Sequence, residues 1–379
     1  MNIKLLGKRI ISDALGLHSP PVSPLDDHLG AAIDWLCAAQ DSQANGGVSL
    51  RYSLITGWDA SYPETTGYII PTFFDYSVLT GRDEFSERAI RMADWEISIQ
   101  NRDGSFNGGA YGSGYGPFVF DTGQILFGLI AAHKKTQRDK YIDAAMRAGK
   151  WLISVQEAEG AWKNYTFHTI PHTYYTRVAW ALAQLGQHTN EASFAKAAAR
   201  NIDWAITKRL PNGWFDGAGF TTSNHSAPYT HTISYALEGI LGTGLCLGRD
   251  DYIDIVLHSA DALLQVVRDD GFCHGMFDHH WASAANFSCL TGSAQFAVVF
   301  FRAYGISGNE RFLKAARSLN HFLKQHQEMD PIREIHGAIS GSYPIWGRYQ
   351  RFAYPNWAAK FFADSLLLER SYDIEERVI

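Results

Sequence analysis

Apolar residues recur at three-and-four spacing along most of the chain, in segments of two alternating kinds. The first kind is amphipathic with charged outer positions: "LGAAIDWLCAAQ", "AIRMADWEISIQ", "AAMRAGKWLISVQ", "AAARNIDWAITKR", "LHSADALLQVV" and "AARSLNHFLKQH". Trp35, Trp95, Trp151 and Trp204 mark it at intervals of roughly 53 to 60 residues, and Leu263 and Phe322 continue the rhythm. The second kind is apolar around more of its circumference, as in "TGYIIPTFFDYSVLTG", "TGQILFGLIAAHKKTQ" and "TISYALEGILGTGLCLG". A glycine turn and a long polar, aromatic loop lead from first to second kind; short turns such as "TGRDEF", "GRDDY" and "SGNERF" lead back. The pattern predicts an all-α fold of six helical hairpins closed into an (α/α)6 toroid, with the first helices outside and the second inside. An open superhelix of hairpins is the alternative; six repeats and the asymmetry of the loops favour closure. Loops of roughly 15 to 25 residues are usually functional, so the active face is expected where the inner helices begin. The expected divisions are an N-terminal arm over 1–25, the toroid over 26–370 and a C-terminal tail over 371–379.

Composition narrows the function classes. The chain has 379 residues, 46% of them hydrophobic, a formal net charge of -6 and no basic stripe, which argues against nucleic acid as a partner. No run approaches the roughly 18 apolar residues of a membrane span, and Asp13 interrupts the apolar N-terminal stretch, so no secretory signal is read there. Four scattered cysteines suit a reducing compartment, and the expected location is cytoplasmic. Aromatic content, 13% with 11 Trp and 18 Tyr, supplies flat faces for sugar rings or isoprenoids as well as core packing.

The stretch "AGKWLISVQEAEGAW" (148–162) resembles the repeated Gln-Trp motif of the squalene cyclase and protein prenyltransferase toroids, and "ADWEISIQNRDGSF" is a weaker copy. The hairpin rhythm also resembles the six-hairpin glycosidases and the toroidal uronate lyases and epimerases. That resemblance implies catalytic groups at the starts of the inner helices. The Asp-rich triplet of the squalene-hopene cyclases is absent, although "VFDTGQ" keeps one carboxylate, Asp121. The lanthionine cyclases hold zinc with a Cys followed by a Cys-His pair, and "CHG" at 273–275 has the wrong order for that set.

Aligned on their Thr, the inner-helix starts read "YPETTG", "VFDTG", "HTYYTR", "PYTHT", "SCLTG" and, in the last hairpin, "AYPNW". Helix N-termini favour anions, and N-capping alone does not call for Tyr, His or Arg. The candidate catalytic groups are therefore His172, Tyr175, His231, Tyr349, Glu64 and Asp121. Candidate substrate contacts are Arg177, Arg351, Asn356 and Tyr354, with Trp58, Trp162, Trp214, Trp281 and Trp346 as stacking faces, although loop aromatics also serve as anchors. Cys273, His274, His279, His280 and Cys289 are zinc-type ligands without regular spacing, so no metal or other cofactor is expected. A carbohydrate substrate suits this mixture. A lyase or C5-epimerase would use His or Tyr as base with Arg on a uronate carboxylate; a glycoside hydrolase would use two of the carboxylates. A glycan-binding toroid and a terpenoid-cyclase-like enzyme remain as alternatives.

Overall fold

The computed structural model describes residues 3–17 and 23–378. A helix α1 (Ile3–Leu15) precedes six outer helices, α2 (Leu25–Asp41), α4 (Asp83–Ile99), α6 (Asp139–Ser154), α8 (Ala192–Ile206), α10 (Asp250–Leu263) and α12 (Glu310–His326). The inner helices are α3 (Pro63–Thr80), α5 (Val119–Thr136), α7 (Thr176–Thr189), α9 (Thr230–Leu247), α11 (Leu290–Ser307) and α13 (Asn356–Val378). Each inner helix packs on the next, and α13 returns to α3, so the ring is closed and the fold is the α/α toroid. The inner helices are buried around most of their circumference, as their even hydrophobicity requires. Among the described residues no helix is long and apolar enough to cross a membrane.

Short strands, absent from the sequence expectation, tie the long loops together. Strand β1 (Arg51–Ser53) pairs with β2 (Gly57–Trp58) and with β5 (Ala353–Pro355), which joins the first loop to the last. Strands β3 (Ser288–Cys289) and β4 (Ser342–Tyr343) join the fifth loop to the sixth. Helix α1 lies against the sixth: Arg9 pairs with Glu328 at 2.9 Å, and the Asp13 carboxylate accepts from the Ile345 N–H at 2.6 Å.

In four of the six hairpins the Gln five residues past the marker Trp or Phe is a fastener between outer helices. Gln100 Nε2 donates to Gly104 O in its own turn and to Ala144 O in α6; Gln156 repeats this with Gly160 O and Ala197 O in α8. Gln40 reaches Arg88 O in α4, and Gln327 reaches His28 O in α2, fastening the last outer helix to the first. In the fourth and fifth hairpins Arg209 and Arg268 stand at this position; Ser259 Oγ of α10 donates to Gly213 O in compensation. The glycine of the turn is forced by contact: Gly160 has φ +99, and a Cβ there would lie 2.2 Å from Arg200 O.

Gly160→Ala should therefore lose about 2–3 kcal/mol of stability, strain plus clash. Gly112→Ala, with φ +82 but open space around it, carries the strain alone and should lose about 1 kcal/mol. Urea unfolding of the pair measures the difference; equal losses would show that the fastened turn tolerates a methyl group.

Candidate active site

The long loops and the inner-helix N-termini enclose a cavity of about 280 Å3 on the predicted face. Its floor and walls carry Glu64, Asp121 and His231 from the first turns of α3, α5 and α9. The rest is mostly aromatic: Tyr62, Phe118, Phe120, Phe167, Tyr174, Phe220, Tyr235, Tyr349 and Trp357, with Gln350 at the edge. At the starts of α3 and α5 a Thr holds the preceding loop in place. Thr66 Oγ1 accepts from Val48 N and Thr122 Oγ1 from Phe106 N, each at 3.0 Å, which positions the carboxylates beside them.

The two carboxyls have unlike surroundings. Glu64 is pushed up to about 7 by burial, while the hydroxyl of Tyr62 donates to it and Arg177 lies near enough to favour its anion. Asp121 is also raised well above the carboxylate range: it is buried and Glu64 repels its charge, and against this stand two backbone donors, Gly109 N at 3.1 Å and its own N–H. Glu96 of α4, fully buried and without a hydrogen-bond partner among the described residues, is also held above the carboxylate range, by burial and by Asp121. Like charges in a dry site cannot both ionise cheaply, so the cavity retains a carboxyl proton at neutral pH.

His231 is held neutral, its imidazole lowered to about 3 chiefly by burial. Its tautomer follows from a buried chain. Arg177 pairs with Glu238, Glu238 Oε1 accepts from Gln295 Nε2 at 2.9 Å, and Gln295 Oε1 therefore faces His231 Nδ1 at 2.6 Å. Nδ1 carries the hydrogen and Nε2 is left as an acceptor. Tyr349 lines the cavity, and its hydroxyl accepts from Trp357 Nε1 at 2.8 Å; burial raises it well above the ordinary phenol, so it is a poor base.

Several sequence candidates lie elsewhere. Arg177 is behind Tyr235 rather than in the cavity wall, where its Nε donates to Gln124 Oε1 at 2.8 Å. Arg351 donates to Trp346 O on the surface. Asn356 is fully buried and ties Ser49 O to Thr65 Oγ1; Tyr354 donates to Glu328. His172 is clamped between Gly219 O and Phe167 O, lowered to about 4 by burial, and Tyr175 supports the same loop by accepting from Phe167 N. The five Trp candidates are anchors or surface residues. Trp162 donates to Leu152 O, Trp214 packs on Trp281 at 4.9 Å, Trp58 lies against Trp35 and Tyr52, and Trp346 is partly exposed. The stacking faces come instead from Phe and Tyr next to the helix starts, and from Trp357 in "AYPNW". In the fifth loop, Cys273 is buried, His274 Nδ1 donates to Ala285 O, and Asp278 accepts two backbone N–H groups of its own turn. Among the described residues no three His, Cys, Asp or Glu side chains are placed to hold a metal ion.

No protein-family model and no curated protein matches the chain. Solved structures do. An unsaturated glucuronyl hydrolase specific for heparin superposes with a TM-score of 0.74 at 14% identity, covering 92% of this chain and 98% of the other. The cellobiose 2-epimerase of Bacillus thermoamylovorans gives 0.71 at 15%, covering 97% and 100%. A polysaccharide lyase gives 0.66 at 12%, covering 93% and 99%. At these identities what the chain shares with them is the six-hairpin toroid.

Glu64 binds its proton more tightly folded than unfolded, so its contribution to stability is complete below the ordinary carboxyl range and is lost as pH rises to about 7. Glu64→Gln has no charge to bury, so its melting temperature should fall less than the parent's over that interval. Parallel melting curves against pH check this; identical slopes would place the ionisation of Glu64 in an ordinary, hydrated environment.

Proposed function

We propose that the chain is a carbohydrate-active enzyme, and that its reaction is acid-catalysed cleavage at a glycosidic bond by the pair Asp121 and Glu64. The observation that carries this reading is the placement of two carboxyls with raised proton affinity in one aromatic cavity. The sugar chemistry named for the similarly folded structures supports the substrate class. Asp121 is the better proton donor, being the more buried and having no cation beside it. Glu64, held by Tyr62 and favoured as an anion by Arg177, is the group to stabilise positive charge at the sugar carbon or to accept a proton from water. The Phe and Tyr walls provide stacking faces for the ring. A cavity of about 280 Å3 is at the small end for a ligand site and suits one terminal sugar residue of an oligosaccharide. Four cysteines without disulfides support a cytoplasmic location.

Proton abstraction by His231, as in a uronate lyase or epimerase, is the second reading. The fixed tautomer with Nε2 as acceptor favours it. It ranks lower because among the described residues no Arg or Lys lines the cavity to neutralise a substrate carboxylate.

The test is incubation with neutral and uronic-acid oligosaccharides, following new reducing ends, ultraviolet absorbance and epimerised products in parallel. New reducing ends without an absorbance rise are expected, with Asp121→Asn and Glu64→Gln each lowering kcat by roughly 10²–10⁴. Asp121→Asn retaining turnover within a few-fold would remove the carboxyl pair from the chemistry. An absorbance rise abolished by His231→Ala would establish elimination instead.

A further inference from the structure

The barrel encloses a second cavity, of about 480 Å3, at its opposite end, lined by the C-terminal halves of the inner helices. Tyr235 and Tyr68, whose hydroxyls are 3.4 Å apart, and Arg177 behind them separate it from the carboxyl site. Its charges do not balance. Arg177 is matched by Glu238, and Lys360 donates to Asp364 at 2.5 Å. Arg302, Lys134 and Asp75 are left over.

Arg302 is the unusual member. Its guanidinium packs 5.1 Å from the Trp180 ring, yet among the described residues it has no ion-pair or hydrogen-bond partner. Glu238, the nearest carboxylate in charge terms, is already engaged by Arg177 and Gln295. The guanidinium faces the cavity half-buried, and an anion placed beside Arg302 and Lys134 would accept the charge-assisted hydrogen bonds for which the described residues supply no acceptor. Arg302 is more than a turn inside the end of α11, where the negative helix terminus has little reach. With both pairs neutral, two cations face one carboxyl, so the cavity carries an excess of one positive charge.

We propose that this cavity is a second binding site, for a small oxyanion held by Arg302 and Lys134 beside the face of Trp180. The shared chemistry is a phosphate or carboxylate group, whether free phosphate or the acid group of a sugar acid. The site is separate from the carboxyl pair and does not depend on the reaction proposed there.

Titration calorimetry of the full chain with inorganic phosphate and with glucuronate, at constant ionic strength, tests it. Saturable binding of at least one is expected, and which one binds identifies the source of the oxyanion. Arg302→Met should weaken that binding by about tenfold or more. Lys134→Met, at an exposed position that does not endanger folding, should weaken it by a smaller factor of about threefold. Asp121→Asn should leave it unchanged. No saturable heat with either anion would overturn the proposal. So would binding that survives Lys134→Met and Arg302→Met, or binding that is lost in Asp121→Asn and would therefore belong to the other cavity.

Discussion

The toroid depends on the fastening of outer helices to their neighbours at the turns where they end, by a glutamine in four of the six hairpins. A glutamine side chain offers two donor hydrogens, and here they are divided between the carbonyl of its own turn and the carbonyl of the neighbouring helix. A turn glycine with positive φ brings the two close enough for this to happen. Gly104, Gly160, Gly271 and Gly337 all lie where a Cβ would strike the backbone of the following outer helix. These glycine turns recur around the ring, and the stacked hairpins return from the sixth to the first. Gln327, bonded to His28 through both its carbonyl and its amide, is where the return is made. The inner helices have little choice of position once the outer ring is set, and the inner-helix starts converge on one cavity.

Much of this was legible in the chain, because periodicity and the Gln-Gly spacing are local. The hairpins, the inner and outer rings, the cavity on the long-loop face, and Glu64, Asp121, His231 and Tyr349 among its lining residues all follow from pattern. What the pattern could not carry was rotation about a helix axis. Arg177 follows Thr176 by one residue, about 100° around the helix, and that offset directs it into the barrel instead of the mouth. The tryptophans were misleading for a different reason. A side chain with a large area and one N–H donor is the best anchor for a long loop, so Trp162, Trp214 and Trp281 each spend that donor on a nearby oxygen. The cavity faces went to phenylalanine and tyrosine, whose sequence neighbourhoods do not distinguish them from core residues.

Burial organises the chemistry as well as the fold. Along the barrel axis, polar groups are not scattered but strung together: Gln124, Arg177, Glu238, Gln295 and His231 form one continuous chain of hydrogen bonds. Arg177 gives its Nε to Gln124 and one Nη to Glu238 within it, and it also lies among the rings of Tyr68, Phe127, Trp180, Tyr235 and Phe361. A single cation thus fixes the imidazole on one side, favours the Glu64 anion above it and divides the barrel into two compartments.

The pairing of β1 with β5 joins residues some three hundred positions apart, and Tyr349, Gln350 and Trp357 complete a cavity whose first members are Tyr62 and Glu64. During synthesis the early hairpins can fold and stack as they emerge, since their contacts are with immediate neighbours. The cavity cannot. It comes into being only when the sixth hairpin has left the ribosome and met the first, so a chain that stops short of that hairpin has stacked hairpins but not the assembled cavity.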